Sequence, residues 1–173
     1  GGGTFDVSVV DSRLGDYDVQ ATDGCILGGD NFDANLRRWV IKEANIKIHH
    51  FRPEDLTKLQ WICSKAKIAL QKSQAPVPID CTGYEAGTVI LTPEAYQSIM
   101  KTTFAPAIRK AKAVVADTIP AGEPYDLVLV GGSTRCPYLQ TWVAEELKHP
   151  PIPMFYDPDC IVALGASVYA QMV

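Results

Sequence analysis

Apolar and polar positions alternate from Thr4 to Asp11, with Phe5, Val7 and Val9 set against Asp6, Ser8 and Val10, a pattern that predicts a half-buried strand. A second strand-like run covers Tyr17 to Thr22, and Gly15 and Asp16 supply turn chemistry between the two, so the chain opens with a β-hairpin. From "LGGDNFDANLRRWVIKEANI" the period becomes helical: Phe32, Leu36, Trp39, Val40 and Ala44 share a face, and Asp30 favours the N-terminus. A second helix is predicted over Pro53 to Lys72, with Pro53, Glu54 and Asp55 in its first turn and Leu56, Leu59, Ile62, Cys63, Ala66 and Leu70 at helical intervals.

Two short strands follow, near Val77 to Cys81 and Thr88 to Leu91, separated by "TGYEAG". Thr92 then reads as an N-cap and Pro93 as the first residue of a long helix, with a break or kink expected at Pro106. "YDLVLVGG" is a continuous apolar run, as in a strand covered on both faces. A turn at Gly131 and Gly132 leads to a helix from about Pro137 to Lys148, and "CIVALGASVYAQMV" predicts an apolar terminal helix. The order gives an α/β chain whose middle is inserted between two halves of a larger sheet.

A length of 173 residues suits one large domain or two small subdomains, with a core that needs no staple. A net charge of −4 argues against an electrostatic nucleic-acid surface. Five widely spaced cysteines (Cys25, Cys63, Cys81, Cys136 and Cys160), without a CxxC pair, fit reduced thiols better than a secreted framework, and give no zinc spacing. No apolar run reaches the roughly 18 to 20 residues that span a bilayer.

The chemistry concentrates at two glycine clusters. In "LVLVGGSTR" the glycines stand where a buried strand would hand over to a helix, a place where backbone N–H groups can meet a phosphate. A tight turn with no ligand is the equal alternative. The opening "GGGT" precedes a strand, so its amides could form an anion nest, and a linker remnant is the competing interpretation. Asp6 is a carboxylate beside that loop, suited to Mg²⁺–phosphate chemistry or to accepting a proton from an attacking water, or else simply an exposed strand aspartate. Neither GxxxxGK[ST] nor GxGxxG occurs, and "GGSTR" lacks the second glycine of a nucleophile elbow. His49 and His50 read as a solvated loop; Lys65, Lys67 and Lys72 read as a solvated face; Trp39, Trp61, Phe104 and Trp142 read as packing.

Taken together, these stretches resemble the DnaK-type heat-shock chaperones, the seventy-kilodalton class of the actin-like ATPase superfamily. "GGGTFDVSV" is similar to that family's second phosphate loop, "LGGDNFD" to the start of its subdomain helix, "DLVLVGGSTRCP" to its adenosine motif, and "YDPDCIVALGASV" to the segment that closes its nucleotide domain. The resemblance implies the second lobe of an ATPase domain: a ribonuclease-H-like subdomain over residues 1–27 and 104–173, and an inserted upper subdomain over 28–103. It implies phosphate contacts from Gly1, Gly2, Gly3 and Thr4, and a catalytic role for Asp6 with Thr4. It further implies an adenosine pocket lined by Gly131, Gly132, Ser133 and Arg135, with Asp159 and Gly29 nearby.

The family's adenine helix reads Glu-Arg-Ala-Lys-Arg-x-Leu-Ser, whereas this chain has "SKAKIALQ": Lys67 is kept, and Ser64, Ile68 and Gln71 replace the glutamate, the stacking arginine and the serine. An isoleucine cannot stack a guanidinium on a purine. "AKIAL" and "LGGDNFD" are similar to the branch that serves iron–sulfur cluster assembly.

The resemblance thus implies ATP or ADP with Mg²⁺ as ligand, completed by a first lobe outside these residues, and no metal ligand from this chain itself. It implies partnership with a J-domain co-chaperone and a nucleotide-exchange factor, and client polypeptides bound through another domain. A monomer in the cytoplasm or an organelle matrix, without nucleic acid or membrane, completes the expectation. The alternative is a non-hydrolysing lobe that docks exchange-factor or co-chaperone partners; a sugar kinase of the same superfamily would not be expected to carry "GGSTR" and the closing motif together.

Overall fold

A computed structural model of the chain describes residues 2–12 and 17–171. The expected turn at Gly15 and Asp16, and Gly1 of the first glycine cluster, lie outside the described residues. The architecture is mixed α/β, and the chain divides into two compact units: Gly1–Gly28 with Ala105–Val173, and Gly29–Phe104.

In the first unit, β1 (Phe5–Asp11) pairs antiparallel with β2 (Asp18–Cys25), in a register that sets Phe5 opposite Cys25 and Asp6 opposite Gly24. The register shifts between Val9 and Val10, and Val10 keeps the outward place that the alternation of β1 assigns it, at 45% exposure. The later part of α3 (Pro93–Thr118) buries Ala107, Ile108 and Ala111, and α4 (Pro137–Leu147) buries Leu139, Trp142 and Val143. An ion pair at 2.8 Å joins Lys112 of α3 to Glu146 of α4.

The long apolar run departs from expectation. "YDLVLV" forms no extended ladder among the described residues: Leu127 makes one parallel bridge to Pro151, and Val128 and Val130 remain nearly half exposed. The reason lies in the partner segment, "HPPIPMF", where Pro150, Pro151 and Pro153 have no N–H to donate. Ile152 supplies its amide to Leu127 O at 2.9 Å, and the Tyr156 hydroxyl donates to Leu129 O at 2.8 Å. Helix α5 (Ile161–Tyr169) forms as the pattern predicts, yet none of its side chains is buried.

The second unit holds the denser core. Helix α1 (Gly29–Glu43) buries Phe32, Leu36 and Val40, one residue per turn on one stripe, and α2 (Pro53–Ser73) buries Leu59, Cys63, Ala66 and Leu70. Each fully buried aliphatic side chain contributes about 1.5–3 kcal/mol of transfer free energy. The Phe32 ring lies 4.9 Å from that of Tyr96 and 6.3 Å from that of Phe104, so α1 and the start of α3 close on one aromatic cluster. At the start of α2 Pro53 needs no N–H partner, and Asp55 Oδ2 accepts the Arg52 N–H at 3.2 Å; at its end Gln74 turns left-handed and donates to Leu70 O at 2.8 Å.

Strands β3 (Val77–Ile79) and β4 (Val89–Leu91) form an antiparallel pair, shorter than predicted. Thr92 Oγ1 accepts the Ala95 N–H at 3.2 Å, the cap expected for α3. Of the break or kink expected at Pro106, the break does not occur: that helix is continuous through the proline. Trp61 was expected inside; it is 60% exposed, with Lys65 Nζ 3.5 Å from its ring centroid. One turn apart on α2, the two side chains meet on the solvent face, where the ammonium covers the ring without leaving water.

Candidate functional site

The first unit carries two of the motifs. Gly2, Gly3 and Thr4 lead exposed into β1, and nothing stands within 4 Å of the point where a Cβ on Gly3 would fall. Their amides precede a strand rather than a helix, so any anion they bind is held by local N–H groups without a helix dipole. Asp6 is exposed on the same face of the hairpin as Ser8, whose hydroxyl donates to Thr22 Oγ1 at 3.3 Å. Phe5, Val7 and Val9 take the other, half-buried face. The alternation of β1 therefore turns Asp6 outward while the apolar positions anchor the strand.

The second motif is a tight turn. Gly131 has φ of +88°, a conformation that L side chains rarely adopt, and donates to Pro158 O at 2.7 Å. A short 3-10 turn, Gly132–Arg135, follows, and Thr134 Oγ1 closes back onto Gly131 O at 2.7 Å. A Cβ on Gly132 would fall 2.6 Å from Asp159 Oδ1, so only glycine lets that carboxylate lie over the turn.

Arg135 is clamped there: Nε and Nη2 donate to Asp159 Oδ2 at 3.1 and 2.9 Å, and Nη2 also donates to Asp157 Oδ1 at 2.5 Å. The hydrogen bond to Asp159, reinforced by the charge of Asp157, raises the Arg135 pKa above its ordinary value. Asp157 in turn accepts the Asp159 N–H at 2.9 Å. Two carboxylates thus fix a guanidinium plane beside two glycines, an arrangement that can offer a flat cation and bare backbone to a planar, polar ligand.

The remaining predicted residues lie in the second unit. Gly29 is the first residue of α1, where backbone N–H groups have no intrahelical partner. Ser64, Lys67, Ile68 and Gln71 are spaced by three and four along α2 and share a face. Ile68 is 45% exposed there. Lys67 and Gln71, however, have partners within the unit. Lys67 Nζ lies 2.5 Å from Asp33 Oδ1, with both side chains less than a fifth exposed, and Gln71 Nε2 donates to the Tyr96 hydroxyl at 2.7 Å. Asp33 Oδ1 is buried with no aligned hydrogen bond, so the contact to Lys67 is chiefly Coulombic.

Three contributors went unnoticed in the sequence. Asp157 stood in the quoted "YDPDC", two residues from Asp159, which is the spacing at which one arginine can reach both. Asp33 is four residues beyond Gly29, but its pairing with α2 has no local signature. The Asp23–Lys110 pair, with Nζ 2.8 and 2.7 Å from the two carboxylate oxygens, links positions 87 residues apart. Among the described residues, no group of three His, Cys, Asp or Glu side chains could hold a metal ion, and no helix is long and apolar enough to cross a membrane.

The Hsp70 protein family matches residues 1–173. A protein named "Chaperone protein HscA homolog" from Cupriavidus taiwanensis is 35% identical over 181 residues, covering 100% of this chain and 28% of the relative. Proteins of the same name from Aromatoleum aromaticum and Burkholderia mallei are each 32% identical over 176 residues, with the same coverage. The chain therefore spans little more than a quarter of the length of these curated relatives.

Proposed function

Because the chain belongs to the Hsp70 family, we propose that it forms the second lobe of a chaperone's ATP-binding domain, of actin-like ATPase fold, in which hydrolysis drives capture and release of client polypeptides. On this reading residues 1–27 and 104–173 form the ribonuclease-H-like subdomain and 28–103 the upper subdomain, and the division into Gly1–Gly28 with Ala105–Val173, and Gly29–Phe104, supports it. The observation that carries the reading is the Arg135–Asp159–Asp157 clamp over the Gly131–Gly132 turn, in the same unit as an outward-facing Asp6.

In the proposed site the amides of Gly1, Gly2 and Gly3 and the Thr4 hydroxyl donate to phosphate oxygens. Asp6 orients the attacking water and accepts its proton. Gly131, Gly132 and Ser133 give backbone room for adenosine, and the clamped Arg135 flanks the base, with Asp159 fixing it. On this reading Mg²⁺ is held by the substrate phosphates and by the lobe outside these residues, with no metal ligand from this chain. Such an ion supplies charge neutralisation to the phosphates when bound.

A second reading is favoured by one observation: on α2, Lys67 is engaged by Asp33 and an exposed Ile68 stands where the resemblance implies a stacking arginine. The lobe would then be a docking module for a nucleotide-exchange factor or J-domain co-chaperone. Calorimetric titration of the full-length polypeptide with Mg·ADP separates the two. Binding at micromolar or tighter affinity, lost in Arg135→Ala, supports the nucleotide site; undetectable nucleotide binding with retained exchange-factor binding supports the module. The HscA relatives favour the iron–sulfur-assembly branch, and on this reading the protein acts as a monomer in the cytoplasm or an organelle matrix.

A further inference from the structure

We propose that Gly24, braced by the Asp23–Lys110 ion pair, is a positioning residue for the Asp6 carboxylate. The proposal rests on the reading of Asp6 as the catalytic carboxylate.

Asp6 and Gly24 are direct cross-strand partners in the β1–β2 hairpin. Side chains of such partners normally stand side by side, with Cβ atoms about 4.5–5.5 Å apart. Here the Asp6 carboxylate instead leans across to the neighbouring backbone. A Cβ on Gly24 would fall 2.8 Å from Asp6 Oδ1 and 2.8 Å from Phe5 O, distances that real Cβ atoms essentially never show. The carboxylate therefore occupies the space that any other residue at position 24 would fill. Asp6 could swing away on substitution, but the carbonyl of Phe5 is backbone and could not.

The Gly24 peptide is itself held. Its N–H donates to Asp23 Oδ1 at 2.7 Å, and both Asp23 oxygens accept from Lys110 of α3 at 2.8 and 2.7 Å. Hydrogen bonding from Lys110 and from the Gly24 amide holds the Asp23 carboxyl below its usual range, so the brace is ionised at neutral pH. Lys110 thus fixes β2 at the one residue against which the Asp6 carboxylate rests. Gly24 itself has no side chain to offer: it sets where a proton-accepting oxygen points by leaving that oxygen room, while Asp23 and Lys110 hold its peptide in place.

The test is single-turnover ATP hydrolysis, with ATP affinity measured separately, in the full-length polypeptide carrying Gly24→Ala, Asp6→Asn, or both. A displacement on the order of 1 Å at a reacting group costs about 100-fold in rate, so Gly24→Ala should slow hydrolysis by roughly 10- to 100-fold while ATP affinity changes little. The double variant should be no slower than Asp6→Asn alone. A wild-type rate in Gly24→Ala beside a slow Asp6→Asn would overturn the positioning role and leave the catalytic reading standing. A wild-type rate in Asp6→Asn would overturn the catalytic reading, and the proposal with it. Equal slowing by Gly24→Ala with and without Asp6 would mean that position 24 acts on the fold alone. If Gly24→Ala does not fold, Lys110→Met carries the same cycle: slower hydrolysis that vanishes on the Asp6→Asn background supports the proposal, and an unchanged rate overturns it.

Discussion

Lys67 and Asp33 pair where water barely reaches them, at 16% and 14% side-chain exposure, and that pairing determines how each responds to loss of the other. Removing one partner of a buried pair costs about 3–5 kcal/mol because the survivor stays charged and desolvated; residual exposure here reduces this to about 1–3 kcal/mol. Asp33→Ala should therefore lower the urea midpoint of the second unit, and Asp33→Ala combined with Lys67→Met should recover most of it. Recovery is the informative outcome, because simple loss of packing would make the double variant worse. Cys63 behaves differently, since burial, aided by the neighbouring Cys81, pushes its thiol up to about 12. Below pH 9 the thiol is protonated whether the chain is folded or not, and nothing is lost. Between pH 9 and about 12 the unfolded chain ionises first, so native stability should fall across that window. At pH 8 iodoacetamide should modify the exposed Cys160 promptly and Cys63 only through opening of the fold, a difference that mass spectrometry resolves.

Helix boundaries were the most legible elements because their signals are local. Pro53, Thr92 and Pro137 each announce a first turn chemically, and α2, α3 and α4 begin where those residues stand. Thr92→Ala should cost about 1 kcal/mol in a thermal or urea melt by leaving the Ala95 N–H uncapped, whereas Thr92→Ser should be close to neutral. Strands were less legible, because a strand needs a partner that one segment cannot reveal. "YDLVLV" has the composition of a central strand, and it faces a proline-spaced segment able to return few amides. The same limit applies to Trp61: periodicity placed an aromatic in a helix without showing that its nearest company would be Lys65 rather than a core. Glycine clusters could be found by eye, while the residues that make them a site, Asp157 on Arg135 and Lys110 on Asp23, arrive from other elements.

For the whole molecule, the division of motifs between two units gives each its own expected signature. Arg135→Lys keeps the charge and loses the planar fork that two carboxylates hold, so adenine-nucleotide affinity of the full-length polypeptide should fall by about tenfold, or about 1.4 kcal/mol. The units also carry different indoles. Trp142 is buried in the first unit and Trp61 is solvent-facing in the second. Trp61, roofed by an ammonium yet open to water, should emit at long wavelength and be readily quenched by acrylamide, while Trp142 should emit further to the blue until its unit melts. A Trp39→Phe background would leave one tryptophan in each unit, so that with excitation selective for indole, domain-by-domain unfolding could be followed by colour alone, without an attached dye.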